Sequence, residues 1–145
     1  MATLRKQIVD ALVLALNTAR PSGLPEATRL RQSQNEREAQ PAISVYPGEE
    51  TIKPATNRAS PVVSRSLQVV VEARAAGDEP DVLLDPLLAW IETSVTRAAS
   101  PLWHDAPQAR LVTHEYAIGA IPHGLAKVTF LIEYQTRRTS PEAAD

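Results

Sequence analysis

Residues 125–136 read LAKVTFLIEYQT. Ala126, Val128, Phe130, Ile132 and Tyr134 alternate with Lys127, Thr129, Leu131, Glu133 and Gln135. A period of two over that length predicts a long strand with one face in a core and the other mostly in water. Leu131 breaks the polar face, and an apolar residue in mid-strand on the wet side points to a partner. A chain whose best strand comes near its end is not built as an ordinary βαβ enzyme unit. Upstream, Arg110 to Ile118 predicts the antiparallel neighbour, with Val112, Tyr116 and Ile118 on one side and Gly119 to Gly124 as the turn. His114 falls in register with Val112 and Tyr116, which predicts a rim position or a hydrogen-bonded core histidine. Ser66 to Arg74 predicts a second long strand, in which Leu67, Val69, Val71 and Ala73 share a face.

Two amphipathic helices are predicted to cover this sheet. Leu4, Ile8, Leu12 and Leu16 recur every fourth residue behind a Thr3 cap, widened by Val9 and Val13, and Arg20-Pro21-Ser22-Gly23 stops the helix near residue 17. Leu84, Leu87, Leu88, Ile91 and Val95, with Trp90 beside them, make the second face. Asp81 or Asp85 is its expected cap, and Pro86 suits a first turn. Between the helices the reading is sparser. A short edge strand is expected at Thr28 to Arg31, then a polar turn, then a brief strand from Pro41 to Gly48 with Ile43 and Val45 on one side. Gly48 to Pro61 reads as a polar loop. The expectation is an α+β fold: a two-layer sandwich whose mostly antiparallel sheet of about four to five strands is covered on one face by two helices. Residues 1–136 form one domain in this reading, and 137–145 a flexible C-terminal tail.

Composition removes several function classes. The 145 residues carry 15 basic and 17 acidic side chains, a formal net charge of −2, so no overall field favours nucleic acid or an anionic membrane. With no cysteine, disulfides and thiolate metal sites are excluded. The charged N-terminus does not read as a signal peptide, and no apolar run has the length of a membrane span. A protein made and used on the cytoplasmic side is expected.

The chemistry-bearing residues do not converge. The five glycines are dispersed, and neither a P-loop nor a dinucleotide fingerprint occurs. His104, His114 and His123 lie ten and nine residues apart with no metal-ligand spacing. His104-Asp105 has the form of half a dyad but lies in a proline-flanked turn. Glu72, Glu115 and Glu133 are expected on the face away from the helices, as a solvated surface rather than an acid–base pair. Arg29, Arg31, Arg58 and Arg65 make loops locally basic, with no aromatic residues interleaved for base stacking. No catalytic, cofactor-binding or metal-binding residue is expected. Two surfaces are: a subunit interface at Val70, Glu72, Leu131 and Glu133, with Leu111 nearby, and a partner-contacting loop at Glu49, Glu50, Lys53 and Arg58.

Taken in order, six segments resemble the tail terminator family of long-tailed phages. They are LRKQIVDAL (4–12), PAISVYPGEE (41–50), SLQVVVEARA (66–75), DPLLAWIETSV (85–95), HEYAIG (114–119) and AKVTFLIEYQT (126–136). The likeness spans residues 3 to 136 and departs from the family pattern at Pro21 to Pro41 and at Pro86. It implies a non-enzymatic virion protein, assembled in the host cytoplasm and placed at the tail top or neck. Such a protein closes as a hexameric ring on the finished tail tube, stops its polymerisation and offers a surface to head-completion and neck proteins. DNA passes through the ring unread, and no cofactor is implied. Two other readings compete: a head-side connector, stopper or tail completion protein, and, more remotely, a small α+β ligand-binding domain.

Overall fold

Thr3, in extended backbone, accepts a hydrogen bond on its hydroxyl from the Lys6 N–H at 3.3 Å and starts helix α1 (Leu4–Thr18). Leu4, Ile8, Val9, Leu12 and Leu16 are its buried stripe. In the last turn of α1 the Asn17 side chain donates to the Ala27 carbonyl at 3.0 Å and accepts from the Ala27 N–H at 2.8 Å. That pair of bonds ties the two-residue strand β1 (Ala27–Thr28) to the helix. The computed structural model describes residues 3–29, 42–53, 62–103, 105–117, 122–137 and 140–144.

Strand β2 (Ala42–Lys53) pairs parallel with β1 and antiparallel with β3 (Val62–Ala76). The expected polar loop after Gly48 is therefore corrected through Lys53: the first half of β3 supplies a ladder for it. Between Pro47 and Glu50 the register shifts by one residue. Pro47 has no N–H to give the ladder, and a bulge is where a strand tolerates that loss. In consequence Glu50, not Glu49, stands opposite Leu67 and turns towards the helices.

Helix α2 (Pro80–Thr96) opens differently from expectation. Glu79 is the cap position and makes no side-chain cap bond, Pro80 fills the first turn, and Pro86 lies inside the helix. Asp81 and Asp85 follow the start instead of forming it. Proline at the first position wastes no helical N–H, so Pro80 defines the boundary that the acidic residues were expected to set. Trp90 belongs to the core, with its indole N–H donating to the Leu16 carbonyl at 3.2 Å, and Leu88 is only half-buried. That bond satisfies a carbonyl left over at the α1 C-terminus and joins the two helices.

Strands β4 (Gln108–Ala117) and β5 (His123–Arg137) complete the sheet in the order β1-β2-β3-β5-β4. β5 lies between β3 and β4, antiparallel to both. The fold is α+β, with both helices on one sheet face. Val69, Val71, Val128, Phe130 and Ile132 are fully buried beneath them. Gly124 lies where α2 begins its crossing: a Cβ there would meet Leu84 Cδ1 and Pro80 Cβ at 2.9 Å each. The expected loose tail is corrected as well, because Ser140–Ala144 forms strand β6, pairing with Thr136 and Arg137 of β5. β3 occupies the other side of β5 along its whole length, so β6 continues the edge that β4 begins.

Candidate interaction surfaces

The four residues expected at a subunit interface share the sheet face away from the helices. Glu72 stands opposite Lys127, Val70 opposite Thr129, Leu131 opposite Gln68 and Glu133 opposite Ser66, so they form one diagonal across β3 and β5. Their exposure differs from expectation. Glu72 is not solvated: it is 1% exposed, hydrogen-bonded by Arg74, itself buried, with Lys127 Nζ at 3.9 Å. A carboxylate removed from water needs such partners, and here a same-strand guanidinium supplies them. Val70 and Leu131 are half-buried and Glu133 is exposed.

The expected partner-contacting loop divides. Glu49, Glu50 and Lys53 lie in β2, and Arg58 falls outside the described residues. Glu49 and Lys53 are exposed, but Glu50 is turned inward by the bulge. Its carboxylate accepts from Arg5 of α1 at 2.6 Å, from Arg65 of β3 at 3.3 Å and from the Tyr134 hydroxyl of β5. Arg65 also donates to the Thr136 hydroxyl at 2.9 Å. Burial pushes the Glu50 carboxyl up. The hydrogen bonds from Arg5 and Tyr134 and the charges of Arg5 and Arg65 outweigh it and hold the group below its ordinary value. Burial, then the neighbouring Glu50 carboxylate, raises the Tyr134 phenol. This cluster fastens the start of α1 to three strands; its groups are consumed by one another.

Of the other titratable candidates, Arg29 is engaged by Asp10 at 2.7 Å, while Arg31 and His104 lie outside the described residues. Glu115 is exposed. His114 is exposed too, on the edge strand beside the start of α2, which is the rim alternative and corrects the core one; its ring stacks on Tyr116 with centroids 6.2 Å apart. The reason is that only the first half of α2 comes near β4, and it leaves a hollow beside His114 and Tyr116. Val112 and Tyr116 point to the helix side, opposite Val128 and Gly124, yet every residue of β4 is exposed. Among the described residues no group of three His, Asp or Glu side chains could hold a metal ion, and no helix is long and apolar enough to cross a membrane.

Large apolar side chains are exposed in two regions that the sequence reading missed. One combines Val82 at the start of α2 with Tyr116 of β4 across a hollow that Asp81, Asp85 and His114 also line, while Leu83, likewise exposed, lies on the other flank of the helix beside Gly77. The other is a hollow of about 530 Å³ between the C-terminal halves of the helices, lined by Ala11, Leu14, Ala98, Pro101 and Trp103, with Arg97 at its side. A signal for both existed. Leu14 lies about 200° round the helix from Leu12, and Val82 the same angle from Leu84, so each is an apolar residue on the wrong face. No protein-family model matches this chain, and no curated protein is similar enough in sequence to count as a relative.

Proposed function

We propose that this chain is a structural subunit of a phage tail, closing as a ring on the tail tube, ending its growth and presenting a surface to the neck of the head. One observation carries the reading: a well-packed domain leaves a ten-residue edge strand exposed on both faces, with Leu111, Val112 and Tyr116 in it. A bulge between Ala109 and Leu111 and the charges of Arg110 and Glu115 blunt only part of this edge, and the exposed apolar side chains left on it are a hazard to a protein that works alone and a resource to one that assembles. The order of helices and strands along the chain agrees with the resemblance to tail terminators. Glu50, turned towards the helices, and Glu72, buried on the opposite sheet face, are both held by guanidinium groups, which agrees with a role in which charge serves folding rather than catalysis.

The test is electron microscopy of the purified protein, alone and mixed with tubes grown from the tail tube protein of the same genome. Rings seated on tube ends, and tubes that stop growing once the protein is added, are the expected result. Tubes that grow unchecked with bare ends would overturn the proposal.

A further inference from the structure

The geometry points to a head-to-tail contact between copies of this chain, in which the acidic, apolar start of α2 on one copy enters the groove between the helix C-termini of the next. The inference rests on the ring reading only for closure of the contacts into a ring.

Three observations lead to it. The first is position. The two surfaces lie at opposite ends of the 17-residue α2, which is about 25 Å long at the usual rise. A contact between surfaces so separated is heterologous, and repeated contacts of that kind build rings or filaments instead of two-fold dimers. The second is exposure. Val82 is 58% and Leu14 68% exposed, on opposite partners in the proposed contact. Each is a large aliphatic side chain in water on a helix whose buried stripe faces elsewhere. Val82 projects from the outer face of α2 as a tip, with Leu83 exposed beside it in sequence, whereas Leu14 borders a hollow lined mostly by small side chains, alanines, serines and threonines among them, which leaves room for an aliphatic side chain. The third is charge. Asp81 and Asp85 flank the tip, Arg97 flanks the groove, and none of the three makes an ion pair with a described residue. Opposite charges around an apolar centre set register and suppress tip-to-tip pairing, which would place the aspartates of two copies together.

Leu14→Asp removes the groove and leaves the tip; Val82→Asp removes the tip and leaves the groove. Both residues are exposed, so folding is expected to survive, and thermal unfolding of each variant checks it. By light scattering after size exclusion, the wild type is expected as an oligomer and each variant alone as a monomer. An equal mixture of the two variants is expected to give a dimer and to stop there, since only one intact tip and one intact groove can meet. As a second route, Arg97→Glu is expected to weaken assembly at least tenfold, and Asp81→Lys with Asp85→Lys to restore it in the same chain. Variants that keep the wild-type mass, a mixture that stays monomeric, or a wild type that is monomeric at its highest soluble concentration would overturn the contact. Tube capping is scored separately. Variants with wild-type mass that still cap tubes would sink this contact and leave the ring reading standing. A dimer in the mixture, with wild-type rings that ignore tubes, would do the reverse.

Discussion

Glu50 shows how one backbone irregularity changes what a side chain is for. Between Gly48 and Lys53 the sequence is polar, and nothing in EETIK marks which glutamate turns inward. The choice is made by the bulge, and the partners that receive Glu50 come from residues 5, 65 and 134. Because its folded pKa is held down, the carboxylate stabilises the native state above its unfolded pKa, and that contribution is lost as pH falls through the folded one. Glu50→Gln is expected to lower stability at neutral pH by about 1–3 kcal/mol, and to flatten the loss of stability on acidification below roughly pH 4.5. Urea unfolding of both proteins at several acidic pH values measures this; parallel profiles would contradict it. Glu72 makes the same point about legibility. Alternation correctly assigned its sheet face, but the burial of that face depends on tertiary neighbours, which a period of two does not encode.

At the scale of elements, the long strands and the buried stripe of α1 were legible because Phe130, Val69 or Leu12 each repeat a period over several turns or pleats. Boundaries were less so. Proline and aspartate both favour a helix start, and Asp85-Pro86 imitates one inside α2, whereas the helix begins at Pro80. The same crossing fixes Gly124, whose missing Cβ lets α2 approach β5 closely. Gly124→Val is expected to destabilise the fold by about 1–3 kcal/mol through overpacking. Gly48→Ala, whose Cβ would meet its nearest neighbour at an ordinary 3.4 Å, is expected to change stability by less than about 0.5 kcal/mol. Urea midpoints of the two variants decide whether the close approach, not glycine as such, is what matters.

For the whole molecule, β4 is the element whose surroundings are least complete. It extends past the cover of α2, with Val82 beside its helix-side face. Its amides are expected to exchange hydrogen faster than those of β3 and β5 in a monomeric Leu14→Asp variant, and to slow on assembly of the wild type. Amide exchange read by mass spectrometry over residues 108–117 tests this; identical rates in both states would exclude β4 from the assembled surface. These surfaces were hard to see in sequence because an interface residue carries no period of its own. Leu14, Val82 and Leu83 stood out only once the buried stripes had been assigned and subtracted.

The bulge in β2 also bears on how long this chain needs to be. One residue more than the ladder requires lies between Pro47 and Glu50. Without Gly48 the strand would step regularly, with Val45, Pro47 and Glu50 still on the helix side and each downstream residue keeping its face. A single-residue loss between Leu67 and Ala75 would instead turn one part of β3 inside out relative to the other. Relatives of this protein that differ by one residue in β2 are thus expected to differ here, in the one stretch of that strand where length is free to drift.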